Sequence, residues 1–358
     1  MSDTFAQNPH LTTLANASGM EVTLMDWGAT ILSIKVPVAG QLTEMLIGPS
    51  KPEDYAHQLC YMGATIGRYA NRIDKGRFTA NGKDYVVGGG ADVVLHGGQV
   101  GFDKKRFTLK SSTKSSATYT LHSPDGEEGF PGNFDLTVHF ALGDDGALRI
   151  DYEATCDQEC PACITNHSYF NLNGYHSSVL NHVAQFKAKH ILPIDSRAIP
   201  TGELYDVTAA VGKVDNFNFT APKILAHSPD DFEGDSNMAY THGYDHCYVI
   251  DQSQPAAAPC VTIKGGKIGT SDKQVELQVY TNYPAFQFYS GCAINDGTTT
   301  EIAYARDDGK PYQHYEGFCI EPEFYPDAPH LTKWQEVNPI VSPNTPLKRF
   351  ITYKFTVI

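Results

Sequence analysis

Apolar and polar side chains alternate along most of this chain of 358 residues, and runs with helical spacing are scarce. A period of two sends successive side chains to opposite faces of an extended backbone, so the pattern predicts strands. The clearest pair is Leu136-Thr-Val-His-Phe-Ala-Leu142 and Leu148-Arg-Ile-Asp-Tyr-Glu-Ala154, with Gly143-Asp-Asp-Gly146 between them as a hairpin turn. A second hairpin is predicted from Gly76 to Val87, where Asn81-Gly82 suits the positive φ angles of a type I′ turn. Further strands are expected at Thr23–Pro37, Val261–Lys264, Val275–Tyr280, Phe286–Tyr289 and Phe350–Ile358, the last alternating at Ile351, Tyr353, Phe355 and Val357. One short helix is predicted over Ser50–Gln58, with Ser50 as its cap and Pro52 in its first turn. Turn residues are spread evenly, and the best linker candidate, Gln252–Pro259, is short enough to be a loop. The expectation is an all-β fold with few short helices, one large antiparallel sandwich, and a single domain over residues 1–358.

Composition narrows the function classes. With 41% hydrophobic and 19% charged residues the chain can bury a substantial core. Its 27 basic and 41 acidic residues leave a formal charge of −14. That field repels phosphate backbones and anionic membrane surfaces, so neither nucleic acid nor membrane is an expected partner. No stretch approaches the ~20 apolar residues of a membrane span, and the first ten residues lack a basic region followed by an apolar run. Eight scattered cysteines are not needed to staple a chain of this size. The sequence therefore predicts a cytoplasmic protein with free thiols, monomeric or weakly dimeric.

Several familiar chemistries lack their motifs. There is no Gly-x-Gly-x-x-Gly, no phosphate loop, no Gly-x-Ser-x-Gly elbow and no His-Glu-x-x-His. Cys156-x3-Cys160-x2-Cys163 has no second half at zinc-finger spacing and reads as ordinary thiols. No cofactor and no metal are expected. What remains is a set of polar residues among aromatic and Gly-rich neighbours: His96 in Leu95-His-Gly-Gly98, His167 in Asn166-His-Ser-Tyr-Phe-Asn171, Asp245 in Tyr244-Asp-His246, and Glu321 after an apolar run. Taken singly, each also fits a core histidine or a solvated loop acid.

Taken in order, these segments carry more. Gly67-Arg-Tyr-Ala-Asn-Arg-Ile73, Leu95-His-Gly-Gly98, Asn166-His-Ser-Tyr-Phe-Asn171, Tyr244-Asp-His246, Phe286-Gln-Phe-Tyr-Ser-Gly291 and Phe318-Cys-Ile-Glu321 follow the order seen in aldose 1-epimerases. Gly28–Pro37 resembles that family's N-terminal strand, and Ser123–Gly132 its Gly-rich loop. The resemblance covers roughly residues 20 to 356 and implies the family's β-supersandwich, of the galactose mutarotase type. It also implies an isomerase of carbohydrate metabolism that interconverts the α and β anomers of free aldohexoses such as galactose and glucose. By motif, His167 resembles the general acid and Glu321 the general base, while Asn71, Arg72, His96, Ser168, Tyr169, Asp245 and Gln287 resemble residues that hold the sugar. Where the family often has Thr-Gln after its catalytic Glu, this chain reads Glu321-Pro322-Glu323.

Ring opening at a hemiacetal needs a base at O1 and an acid at O5 in one step. The expected arrangement is an ionised Glu321 and a cationic His167, the latter held charged by Asp245 or Glu321. Two rivals share parts of this reading. A hexose-6-phosphate 1-epimerase would need extra cations, for which Lys104-Lys-Arg106 is the nearest basic cluster. A non-catalytic sugar-binding β-sandwich would be expected to lack one member of the acid–base pair.

Overall fold

The hairpin with the strongest alternation forms where the sequence predicts it. Phe134–Leu142 and Ala147–Cys156 pair antiparallel, matching Leu136 with Ala154, Val138 with Tyr152, Phe140 with Ile150 and Leu142 with Leu148. All eight of these side chains are buried. Asn81 and Gly82 link Arg77–Ala80 to Lys83–Val86, both with positive φ as a type I′ turn requires. The computed structural model describes residues 9–174, 177–209, 216–226, 228–233, 240–253, 257–295, 310–331 and 339–358, with residues 235, 238, 334 and 337. The linker candidate is therefore seen only in part, since residues 254–256 lie outside the described ones.

Two predicted elements differ. The stretch Thr23–Pro37 is not one strand but parts of two, Glu21–Met25 and Thr30–Val38, which pair with each other. Gly28 and Ala29 both take positive φ between them and turn the chain back. The predicted helix shortens to a 3-10 turn, Pro52–Ala56, whose cap position is Lys51 and lacks a side-chain cap bond.

Two large sheets face each other. The nine-stranded sheet runs in the order Thr108–Ser112, Ser116–Ser123, Phe134–Leu142, Ala147–Cys156, Leu347–Val357, Val275–Thr281, Val261–Lys264, Val183–Phe186 and Lys223–Ile224. The seven-stranded sheet runs Tyr205–Asp206, Ala188–Ile191, Asp245–Ile250, Ala285–Tyr289, Phe318–Glu323, Tyr169–Phe170 and Leu46–Ile47. Their strand pairings are antiparallel. Aromatic side chains fill the space between them. Phe186 of the first sheet lies 4.9 Å from Tyr248, 5.3 Å from Phe286 and 5.1 Å from Phe288 of the second, ring centre to ring centre. Phe170 lies 4.9 Å from Tyr353, whose hydroxyl donates to the Ile320 carbonyl at 3.2 Å. Such ring pairs contribute about 0.5–1.5 kcal/mol each beyond the area they bury.

Alternation then decides what the other face of the seven-stranded sheet carries. Tyr248, Phe286, Phe288, Phe318, Ile320 and Phe170 point into the sandwich. Their neighbours Asp245, Gln287, Tyr289, Cys319, Glu321, Glu323 and Tyr169 must point the opposite way. No disulfide joins any of the eight cysteines. No helix among the described residues is long and apolar enough to cross a membrane.

Candidate active site

Strand register assembles polar groups that are far apart in the chain. On the outer face of the seven-stranded sheet, Asp245 sits opposite Tyr289, Tyr289 opposite Cys319, and Cys319 opposite Tyr169. One rung along, Gln287 sits beside Glu321. His167, two residues before Tyr169, lies on the same face, with its ring stacked 5.1 Å from the tyrosine and its Nδ1 3.5 Å from Cys319 Sγ. Its Nε2 then falls 3.6 Å from Glu321 Oε1, both side chains almost wholly buried.

The facing wall comes from the loop at Asn71 and the one at His96. Arg72–Asp74 pairs with Val93–Leu95, which brings the two loops together. The bonds are reciprocal: His96 N–H donates to the Asn71 carbonyl at 2.9 Å, and Asn71 N–H donates to His96 Nδ1 at 3.1 Å. Asn71 has positive φ, a conformation Asn tolerates better than most residues. From this wall Arg72 reaches Asp245 at 3.3 Å, and Gln287 Nε2 donates to the other Asp245 oxygen at 2.6 Å. The His96 and His167 rings meet edge to face, 5.2 Å from centre to centre.

These walls enclose a hollow of about 700 Å³, within the range of small-molecule sites. Of the nine residues expected here, Asn71, Arg72, His96, His167, Tyr169, Asp245, Gln287 and Glu321 line it. Ser168 does not. Its neighbours face the cleft, so the alternation of an extended chain turns it inward, where its hydroxyl is buried without a partner among the described residues. Tyr61 and Tyr289, which line the hollow against the two histidines, were not singled out, because one tyrosine among 20 carries no local signal. Glu323 was noted only as a departure, although its spacing from Glu321 puts both on one strand face. Asn166 is buried and donates to the Gly63 carbonyl at 2.8 Å, so the Asn166-His167-Ser168 triplet is no surface glycosylation site.

Burial dominates the electrostatics. It pushes His167 down to about 4, against smaller upward effects from a backbone hydrogen bond and Asp245. Glu321 moves well above its ordinary value, through burial first and the Asp245 charge second, with Arg72 opposing. The expectation that nearby carboxylates keep His167 cationic is thus corrected: removal from water outweighs them. The pair still holds one proton between imidazole and carboxyl, whichever group carries it. Buried Oε2 of Glu321 and Oε1 of Gln287 have no hydrogen-bond partner among the described residues. Unsatisfied polar atoms in a cleft are positions for a polar ligand.

Ring nitrogens of His96 and His167 and an oxygen of Glu321 all lie within 4.8 Å of one another, a spacing a cation could use. The Asn71 N–H into His96 Nδ1 argues otherwise. Burial keeps that ring neutral, so its proton sits on Nε2, which presents a donor rather than a lone pair. A donor suits a hydroxyl oxygen. Among the described lining residues Arg72 is the only Lys or Arg. The basic cluster Lys104, Lys105 and Arg106 is engaged with Asp103, Glu127 and Asp26.

Comparison with known proteins identifies relatives of this chain. The sequence profile described as aldose 1-epimerase matches residues 10–354. The chain is 37% identical to the aldose 1-epimerase of Escherichia coli K12 over 347 residues, 96% of this chain and 94% of that one. It is 33% identical to the human galactose mutarotase over 341 residues, covering 94% and 92% of the two chains. The crystal structure of an aldose epimerase homologue from C. elegans superposes with a TM-score of 0.83 at 24% identity, covering 98% and 99% of the chains. That last likeness speaks for the fold alone.

Proposed function

We infer that this chain, which belongs to the aldose 1-epimerase family, is a mutarotase that interconverts the anomers of a free aldose by opening and reclosing its ring. The observation that carries the mechanism is the 3.6 Å approach of His167 Nε2 to Glu321 Oε1 on the floor of a sugar-sized hollow. Opening transfers the O1 proton to Glu321 while His167 gives a proton to O5, the C1–O5 bond breaks, and C1 becomes an aldehyde carbonyl. The aldehyde turns about C1–C2, and closure on its other face reverses both transfers. Before opening the pair is carboxylate and imidazolium; afterwards it is carboxylic acid and neutral imidazole. Burial favours the second distribution. Sugar hydroxyls beside the pair favour the first by solvating its charges, so the two distributions are brought close in energy. Each proton transfer contributes about 10²–10⁴-fold.

The rest of the cleft holds the sugar. His96 presents Nε2–H to a hydroxyl oxygen, Gln287 Oε1 accepts a hydroxyl proton, and Arg72 with Asp245 offers a donor–acceptor pair. Tyr61, Tyr169 and Tyr289 give apolar faces for the ring carbons. Ser168 is withdrawn from the binding set. With one guanidinium, already paired, the hollow suits neutral sugars such as galactose and glucose rather than their phosphates. Thiols without disulfides suit the reducing cytoplasm.

Optical rotation tests this. The protein should speed the decay of rotation of fresh α-D-galactose or α-D-glucose, and glucose 6-phosphate should have kcat/KM at least about tenfold lower. Decay at the buffer rate for both free sugars would refute the reading.

A further inference from the structure

Glu323 has no part in the proton transfers, yet it is a fully buried carboxyl beneath the cleft. It lies two residues beyond Glu321 on the same strand face, opposite Ala285. Its Oε1 accepts from Asn71 Nδ2 at 3.0 Å, and its Oε2 has no partner among the described residues. Among the described residues no ion pair offsets its charge, and burial with the Glu321 and Asp245 charges raises it well above its ordinary value, against the Asn71 hydrogen bond and Arg72. A buried carboxyl in that company remains a neutral acid, which still offers a carbonyl oxygen as acceptor.

The consequence lies at the other end of the Asn71 amide. With its nitrogen turned to Glu323, its oxygen faces Arg72 and accepts from Nη1 at 3.3 Å. Arg72 Nη2 contacts Asp245, and Asp245 receives Gln287 Nε2. One continuous run of polar contacts therefore leads from Glu323 through Asn71, Arg72 and Asp245 to Gln287. Its last three members line the hollow together with Asn71, and only Glu323 stands outside it. Without an acceptor at Glu323 the amide nitrogen would be buried unsatisfied, and the amide would gain by turning away from Arg72.

We propose that Glu323 is a positioning residue that fixes the Asn71 amide from behind and thereby holds Arg72 and Asp245 in the arrangement that grips the sugar. The proposal rests on the mutarotase reading above. It separates binding from chemistry, because the run does not include the His167–Glu321 pair. Loss of one buried hydrogen bond changes an equilibrium by about 2- to 13-fold.

The test is a KM and kcat comparison by polarimetry on α-D-galactose for wild type, Glu323→Met, Glu323→Ala and Glu323→Gln. Met fills the buried volume and Ala empties it, so one of the two can be read even if the other folds poorly. Expected is a rise in KM of about 3- to 10-fold in Met and Ala with kcat within about twofold of wild type. Gln keeps an acceptor oxygen for Asn71 and should return KM to within about twofold of wild type. An unchanged KM in a folded Met or Ala variant overturns the proposal. So does a fall confined to kcat, or a Gln variant as impaired as Met. A wild-type protein without activity would instead overturn the mutarotase reading and this proposal with it.

Discussion

Replacing Glu321 by Gln removes the proposed base while keeping its size. The carboxyl is almost wholly buried and its Oε1 lies 3.6 Å from His167 Nε2, so the amide occupies the same space. An amide cannot take the O1 proton, and His167 alone cannot both receive and deliver it. The lost proton transfer corresponds to a rate decrease of about 10²–10⁴-fold, a barrier about 3–5 kcal/mol higher. At neutral pH stability should rise rather than fall, because the unfolded chain ionises Glu321 at its ordinary value while burial keeps the folded acid neutral, and an amide removes that difference. The assay is kcat/KM from optical rotation of fresh α-D-galactose, corrected for the spontaneous reaction, with thermal melting beside it. A variant that melts no lower than wild type and turns over within about tenfold of it would refute Glu321 as the base.

Two further outcomes follow from the same geometry. Arg72→Ala should act on binding, raising KM about tenfold with a smaller change in kcat, since it releases Asp245 from its ion pair; an unchanged KM would contradict that role. Acid stability should depend on buried histidines. Burial lowers His167 to about 4 and His182 to about 3, so between their unfolded value of 6.5 and those values only the unfolded chain takes up these protons. The share of the unfolding free energy that these two histidines contribute should therefore fall as pH drops from about 6.5 toward 4. His182 accepts from Leu172 N–H through Nε2, which a Gln oxygen can replace. His182→Gln should flatten that fall in urea titrations, and an identical slope would contradict the assignment. Glu321 and Glu323, raised by burial, act in the opposite sense, withdrawing stability as pH rises above their unfolded value of 4.5.

The legible part of this molecule was whatever a period of two controls. It marked Leu136–Leu142 and Leu148–Ala154 as the two strands of a hairpin, and alternation also turns Ser168 inward and sets Glu323 on the face of Glu321. The turn at Gly28 and Ala29 was hidden because Ala at positive φ leaves no compositional mark. A cap and a proline suggested a short helix over Ser50–Gln58, but no apolar stripe followed to bury one, and only Tyr55 of the 3-10 turn is buried. Motif order picked out nine residues, of which all but Ser168 line one hollow. The protonation of His167 was not legible, because it depends on depth below the surface, which no local pattern encodes.

The most direct test of the central claim is the rate of the double variant His167→Asn, Glu321→Gln beside the two single variants. If one proton serves both groups, removing either disables the couple, and the double variant should match the slower single variant within about threefold. Penalties that multiply, leaving the double variant slower by the product of the two single effects, would contradict a shared proton couple.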